Sequence, residues 1–247
     1  MDVIILYIII FFISTVQSIA GVGVLVLGTP ILLVLNYSII ETMFFLLPVS
    51  IISSFGNLVL INSTFKIKNK VDLKLIKYFF IFCFPSICLG LIIIKKFNEL
   101  INFNILVSII IIFSIIIKIK SKKFLVNLNK NSKKIITFFI GFIHGLTNSG
   151  GTLLSLFISS KEKKNTNLIR FEIHLLYFFL AITQFIFLCF LLRNEFEFYL
   201  NLYIVLPMII ISCFIGNILA NKIKEISLYV IYLLAIISSI ILFIKGI

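Results

Sequence analysis

Two glycine-rich clusters hold most of the residues in this chain that are suited to bind a small ligand. The more polar cluster reads His144-Gly145-Leu146-Thr147-Asn148-Ser149-Gly150-Gly151-Thr152. Glycine lets a backbone leave helical geometry, and a helix that restarts after such a break presents unpaired N–H groups and the positive end of its dipole. With hydroxyl and amide donors beside it, this arrangement favours an oxyanion. The predicted substrate-binding residues here are Thr147, Asn148, Ser149, Gly150 and Gly151.

The first cluster reads Gln17-Ser18-Ile19-Ala20-Gly21-Val22-Gly23 and is followed by Gly28-Thr29-Pro30. We include Gln17, Gly21 and Gly23 in the predicted site because non-helical backbone at membrane depth lies in protein or lines a water-filled cavity. The alternative is that small residues only allow helices to approach closely. That alternative is the stronger one for Gly21, Gly28 and Gly141.

Three further residues are candidates because polar groups are costly inside an apolar run. Asn57 follows Ser53-Ser54-Phe55-Gly56 and is expected to line the pathway or to bond between helices. His144 titrates near neutral pH, which suits coupling to protons. Arg170 is placed to attract an anion, or to orient the protein as a snorkelling arginine.

The sequence carries no motif of a known catalytic or nucleotide-binding site. HExxH, GxSxG, a P-loop and a pair of intramembrane aspartates are all absent from it. We therefore predict no enzyme activity, no catalytic residue, no metal site and no cofactor. Coupling to an ion gradient, with protons as the candidate ion, or passive flux is the simpler expectation.

Composition places the chain in a membrane. Its 247 residues are 61% hydrophobic with a mean hydropathy of +1.23, which leaves too little polar surface for a water-facing shell. The 22 Lys and Arg residues lie mainly between apolar runs, where they orient a protein in a bilayer. The expected partners are thus the lipid bilayer and a small anionic substrate, not nucleic acid, and composition says nothing of the oligomeric state.

Eight runs of the sequence are free of charged residues. Six have the length of one crossing, about 20 residues, whereas 3–40 and 135–160 are longer and contain the two clusters. Each long run is therefore predicted to form two half-helices. The N-terminus lacks the basic region and cleavage site of a secretory signal, so we expect it to belong to the mature chain. The runs are 3–40, 42–65, 78–94, 100–117, 135–160, 173–192, 198–221 and 226–244.

The two clusters lie 127 positions apart, which indicates a duplication. Leu89-Gly90 before Lys95-Lys96 also matches Ile215-Gly216 before Asn221-Lys222. Interrupted segments at corresponding positions of two halves are typical of a transporter site. We predict one transmembrane domain, 1–247, with repeats at about 1–120 and 135–247 and a basic cytoplasmic connection at 118–134.

The distribution of positive charge favours opposite orientations for the two halves. If every run crossed once, the two sides would receive 14 and 8 Lys and Arg residues; if both broken runs were re-entrant, they would receive 18 and 4. The second division obeys the positive-inside rule better. The predicted fold is an all-α polytopic protein with an inverted repeat, hairpin tips towards the midplane and an external C-terminus.

Three segments carry a resemblance to the sulfite exporter TauE/SafE family. Ala20-Gly21-Val22-Gly23-Val24 with Pro30 is similar to the family's glycine turn, although Val24 stands in place of a third glycine. The segment from Gly145 to Gly151 resembles the family's G-L-T-N-x-G-G form. The segment from Ile215 to Ile223 resembles its G-x-x-L-A-x-K/R-I form.

The resemblance implies multi-pass transport of sulfite, sulfonates or related small anions across the cell (cytoplasmic) membrane. Two alternatives remain open at this point. One is a non-transporting membrane scaffold or biogenesis protein, in which the glycines serve packing alone. The other is a passive anion channel, which differs from a transporter by fast flux that does not saturate.

Overall fold

The computed structural model describes residues 3–67, 71, 73–120, 130–159, 165–192, 201–222 and 226–247. Within these ranges every regular element is a helix, and the all-α fold is confirmed. The central part of the predicted basic connection, 121–129, lies outside the described residues. The helices are α1 (Val3–Ala20), α2 (Val24–Val34), α3 (Ile39–Phe65), α4 (Leu73–Tyr78), α5 (Phe84–Phe97), α6 (Phe103–Lys120), α7 (Lys130–Thr147), α8 (Gly151–Ser159), α9 (Thr166–Leu191), α10 (Leu202–Lys222) and α11 (Ile226–Gly246).

Local sequence accounts for the start of α3 and for the irregular turn before α5. Ser38 and Glu41 form a reciprocal capping box at the start of α3, which satisfies two backbone N–H groups. A π-helical turn, Phe79–Cys83, joins α4 to α5 directly before Pro85. Proline has no backbone N–H to donate to the preceding turn, so the helical hydrogen-bond pattern shifts there.

Both glycine clusters fold back, so each long run forms a helical hairpin. A methyl group on Gly23 would lie 2.6 Å from the backbone nitrogen of Gln17 and 3.0 Å from the carbonyl oxygen of Ile13. A methyl group on Gly150 would lie 2.6 Å from the carbonyl oxygen of Ile140. Ten residues of uninterrupted helix span about 15 Å. Therefore α2 runs back along α1 and α8 runs back along α7, as the re-entrant arrangement requires.

Helices α3 and α9 pack along each other in opposite directions. Near one end, Gln184 Nε2 of α9 lies 3.5 Å from Met43 Sδ of α3. Near the other end, Asn57 and Arg170 both bond to Asn217. At the offset of 127 residues between the two repeats, α3 and α9 are equivalent helices. Equivalent helices of an inverted repeat run antiparallel. The antiparallel pair supports the inverted arrangement.

Each half of the chain packs its first helix on a helix of the other half. α1 packs along α10, and α7 packs along α5. Gly216 of α10 lies against Ser18, while a methyl group on Gly90 of α5 would lie 2.7 Å from the backbone nitrogen of Leu146 in α7. Gly90 and Gly216 are the pair already matched in sequence. These contacts support the duplication, whose boundaries stay a prediction.

One end of the helix bundle, which we call the Lys245 end, gathers three parts of the chain. Lys245 Nζ donates to the carbonyl oxygens of Leu33 and Val34 at 3.0 and 2.7 Å, at the last turn of α2. Asn102 Nδ2, just before α6, donates to the carbonyl oxygen of Gly246 at 2.8 Å. A cation at a helix C-terminus is favourable because it faces the negative end of the dipole.

The opposite end, which we call the basic end, is where α3, α6 and α10 stop. Of the 22 Lys and Arg residues, 18 belong to the connections at this end or to the helix ends beside them, at 62–77, 118–134, 159–170 and 222–225. The positive-inside rule therefore favours the basic end as the cytoplasmic one and the Lys245 end as the external one.

The outer faces of the helices are apolar, as contact with lipid requires. Phe190 is 83% exposed and Ile8 is 64% exposed. α6 and α11 contain shorter apolar stretches, Phe103–Ile117 and Leu233–Gly246. Among the described residues, four helical segments are long and apolar enough to cross a membrane: Ile39–Phe65, Ile76–Phe97, Thr166–Leu191 and Tyr203–Ala220. This agrees with a multi-pass membrane protein.

Candidate functional site

The two breaks adopt the same unusual backbone conformation. Gly21 has φ of 83° and Asn148 has φ of 60°, and the two residues lie 127 positions apart. Glycine enters this left-handed region without steric cost, and asparagine is one of the few other residues that tolerates it. The turn is thus built at equivalent positions, but the second turn also carries an amide side chain.

The two returning half-helices, α2 and α8, contact each other inside the protein. Asn148 Nδ2, at the second break, donates to Thr29 Oγ1 of α2 at 3.2 Å. The ring of Tyr177 of α9 lies directly against Gly151, the first residue of α8, where a methyl group would overlap it. The Tyr177 hydroxyl also approaches the backbone of Leu25 near the start of α2. Tyr177 therefore lies between the N-termini of both half-helices.

Several buried polar atoms of the α7–α8 hairpin, α3 and α9 have no hydrogen-bond partner among the described residues. They are the Tyr177 hydroxyl, Asn148 Oδ1, both ring nitrogens of His144, Gln184 Oε1 and Ser50 Oγ. The parent residues are fully buried. The rings of His144 and Tyr177 are 6.3 Å apart. Buried polar atoms are nearly always paired, so a cluster of unpaired ones indicates a place for a ligand or for water.

The amide of Asn148 can face a ligand with either of its polar atoms. As placed, its nitrogen donates to Thr29 and its oxygen is unpaired. Rotating the amide by 180° lets the Thr29 hydroxyl donate to the oxygen and leaves the NH2 group free. An anion at the site selects this second orientation, because it needs donors.

The hydroxyl groups of the second cluster differ from the prediction, which had them face the substrate. Thr147 Oγ1 donates to the Ile143 carbonyl at 2.8 Å, Ser149 Oγ to the Thr147 carbonyl at 3.1 Å, and Thr152 Oγ1 to the Ser149 carbonyl at 2.9 Å. The bond to the Thr147 carbonyl satisfies an acceptor at the broken end of α7, and the other two are local bonds between a side chain and a nearby backbone carbonyl. In this conformation the three hydroxyls hold the shape of the turn, and Asn148 remains its candidate ligand group.

Gln17 is placed at the first break, but its amide is used within the protein. Its Oε1 accepts from the Val24 backbone N–H at 3.1 Å, at the start of α2, and its Nε2 donates to Ser54 Oγ at 3.0 Å. Gly23 lies against Gln17, as described above. Of the predicted residues in the first cluster, Gln17 thus caps a half-helix, and Gly21 and Gly23 provide the turn.

Arg170 and Asn57 meet in a separate polar cluster, which we call the polar ring, made of Ser18, Asn57, Arg170 and Asn217. Arg170 donates to the Ser18 carbonyl at 2.6 Å and to Asn217 Oδ1 at 2.8 Å. Asn217 donates to Asn57 Oδ1 at 2.6 Å, and Asn57 donates to Ser18 Oγ at 2.9 Å. Asn57 therefore bonds between helices, which was the alternative to lining the pathway. Arg170 is turned inward, so the snorkelling alternative is wrong.

Sequence reasoning missed Tyr177 and Thr29. A signal for Tyr177 was present on α9, where Arg170, His174, Tyr177, Ala181 and Gln184 follow the alternating four- and three-residue spacing of one helix face. These five residues are all buried. Thr29 had no such signal, because a lone threonine in an apolar helix is usually bonded to its own backbone.

The family model of the sulfite exporter TauE/SafE matches residues 6–243. No curated protein and no solved structure matches the chain. The match covers both hairpins, the α3–α9 pair and the polar ring, so it takes in every part of the site described above. The chain belongs to the sulfite exporter TauE/SafE family of membrane transporters.

Proposed function

We propose that this protein is a secondary transporter of small oxyanions such as sulfite and sulfonates, which bind between the N-termini of α2 and α8 at Tyr177. The observation that carries the proposal is the meeting of two half-helix N-termini around buried and unpaired polar atoms. Each N-terminus presents orphan N–H groups and a partial positive charge. Both favour an anion without placing a lysine at that depth.

The two hairpins enter from opposite ends of the bundle, which suits alternating access. α1 starts at the Lys245 end and α7 starts at the basic end, and their returning halves meet near the middle. In this conformation Asn148, Ser149 and His144 are all fully buried, so the site is closed to both sides. A rocking motion of one hairpin against its neighbours would open the site to one side at a time.

His144 is the proposed proton-coupling residue. Both of its ring nitrogens are buried and have no partner among the described residues, and its ring neighbours Tyr177. Its backbone carbonyl accepts from Gln184 Nε2 at 3.1 Å, which fixes the backbone but leaves the imidazole free to exchange a proton. Protonation of an imidazole beside the site would add the positive charge that an anion needs.

The test is flux of labelled sulfite into proteoliposomes, with simple sulfonates as competitors. Asn148→Gly removes the amide but keeps, and even eases, the left-handed backbone. We expect saturable flux in the wild type and at least about a tenfold loss in Asn148→Gly, since a hydrogen bond to a charged group is worth about 1.5–3 kcal/mol.

The matched control is Asn36→Gly. Asn36 also has a left-handed backbone, with φ of 70°, but lies in the connection before α3 and bonds to Lys245. Its replacement should leave flux within about twofold of wild type, because surface changes away from a site have small effects. Flux without saturation would favour a channel, and no flux of any anion through folded protein would favour a scaffold.

A further inference from the structure

The polar ring buries a cation whose described acceptors are both neutral. Arg170 is 9% exposed, and its two bonds go to the Ser18 carbonyl and to Asn217 Oδ1. Its Nε has no partner among the described residues. Burying a guanidinium at this depth is costly, and charged groups there are usually functional. The ring therefore holds a cation with capacity for a further acceptor.

At the Lys245 end of the bundle, the positions equivalent to those of the polar ring hold no buried cation. The 127-residue offset places Met43 where Arg170 is, Gly145 where Ser18 is, and Gln184 where Asn57 is. There Gln184 bonds to the His144 carbonyl and contacts Met43. Since the same fold has uncharged residues at these equivalent buried positions, packing alone does not require an arginine at position 170.

A line of buried polar side chains leads from Arg170 to the half-helix site. Arg170, His174 and Tyr177 lie on one face of α9, and seven residues of helix span about 10 Å. His174 is fully buried, and both of its ring nitrogens have no partner among the described residues. A single residue of this line, His174, thus separates Arg170 of the polar ring from Tyr177.

We propose that Arg170 is a second anion-binding site, which holds the oxyanion on its way between the basic end and the half-helix site. This inference rests on the proposed function. An oxyanion displaces the Ser18 carbonyl and Asn217 from the guanidinium because charge-assisted, two-point bonds are stronger than bonds to neutral oxygens. Ser18 and Asn217 then lose the bonds to Arg170 that tie α9 to α1 and α10, so anion binding itself loosens the ring.

The test measures sulfite flux in membrane vesicles whose outer face is the basic end, identified by trypsin cleavage within 118–134. Arg170→Gln keeps amide donors for Ser18 and Asn217 but removes the charge. We expect its KM from this face to rise about tenfold, the equivalent of 1.4 kcal/mol, with maximal flux within about twofold of wild type. Lys222→Gln, at an exposed residue of the same end, is the matched charge control and should leave KM unchanged.

A second variant tests whether a carboxylate of the protein itself can bind the Arg170 guanidinium in place of the substrate anion. Asn217→Asp places a carboxylate where the amide oxygen now accepts from Arg170, so it competes with the substrate anion and should raise KM as well. Adding it to Arg170→Gln should raise KM no further. If Arg170→Gln does not reach the membrane, Arg170→Lys replaces it, because it keeps the charge and loses the two-point geometry, and its KM should rise less.

The outcomes separate this inference from the proposed function. Wild-type flux with an unchanged KM in the Arg170 and Asn217 variants would overturn the second site and leave the half-helix site standing. A fall in maximal flux at constant KM would assign the ring a structural role only and also overturn it. Absence of flux in the wild type would overturn the proposed function and, with it, this inference.

Discussion

The two hairpins have the same backbone conformation at their breaks but differ in how the polar groups beside the break are hydrogen-bonded. In the α1–α2 hairpin, the Gln17 amide caps the start of α2 and bonds to Ser54. In the α7–α8 hairpin, the equivalent position is His144, and neither of its ring nitrogens has a partner among the described residues. The polar side chain at the first break is satisfied within the protein, whereas the one at the second break has no partner among the described residues.

The same contrast explains why the first cluster departs from the family's glycine pattern. The counterparts of Gly151 and Tyr177 at the 127-residue offset are Val24 and Ser50. Where the second hairpin has glycine against a large tyrosine ring, the equivalent positions of the first half hold valine and a small serine. Volume is conserved across the exchange, as close packing requires. The difference between the hairpins is therefore one of polar groups and not of volume, because the second side retains buried polar atoms without a partner among the described residues.

The largest effect is expected from Gly151→Ala. Its methyl group would overlap the Tyr177 ring at the start of α8. Overpacking of this kind costs about 1–3 kcal/mol and displaces the neighbouring ring, so flux should be lost and the melting temperature in detergent should fall. Gly56→Ala is the control, because its methyl group would meet only Cys213, at 3.3 Å from Sγ. Wild-type flux in Gly151→Ala would contradict the placement of Tyr177 at the site.

An intermediate effect is expected for the difference in stability between the variants Gln17→Leu and His144→Leu. Gln17→Leu leaves the Val24 N–H and Ser54 without partners and should destabilise the protein by about 1–3 kcal/mol. His144→Leu removes only unpaired nitrogens, so its stability should equal or exceed that of the wild type. Thermal unfolding checks this order, and equal losses in both variants would remove the contrast between the hairpins. His144→Leu should also abolish the stimulation of sulfite flux by a pH gradient, whereas Gln17→Leu should retain it.

The smallest structural change is Tyr177→Phe, which removes one buried and unpaired hydroxyl. The fold should lose little by it, since the hydroxyl only approaches the Leu25 backbone and makes no hydrogen bond of good geometry to a described residue. Flux should show an increase of about five- to tenfold in KM, because a hydrogen bond to an anion is lost. The melting temperature and the concentration dependence of flux are the two measurements. An unchanged KM would place the anion elsewhere among the unpaired groups.

The sequence predicted the elements of this fold well because their signals are local. Length and hydropathy indicated the crossings, and glycine clusters indicated breaks at Gly21 and Asn148. A nearly equal spacing, of 126, paired Gly90 with Gly216 before any contact was known. The fold-back at Gly23 and Gly150 followed from charge counting, which reports on the sides of a membrane and needs no knowledge of packing.

The roles of individual side chains could not be predicted as well, because they depend on contacts between distant segments. Gln17 was grouped with binding residues, but its partner Ser54 lies on another helix. From the sequence, the Arg170 side chain could point into the protein or snorkel towards the membrane surface, and only its bonds to Ser18 and Asn217 decide between these directions. Tyr177 was overlooked because an aromatic residue in an apolar helix carries no local sign of its neighbours.

The crossed packing of the two halves has a consequence for how the chain is made. α1 docks on α10, and α7 docks on α5, so α1, which is synthesised before the other described helices, finds its main partner near residue 216. Contacts this distant in sequence slow folding and leave early segments exposed. Gln17 and Ser18 must therefore remain in the bilayer without their final neighbours for most of synthesis. Neither half is a self-sufficient folding unit, and both should need co-expression to assemble when separated at the 121–129 connection.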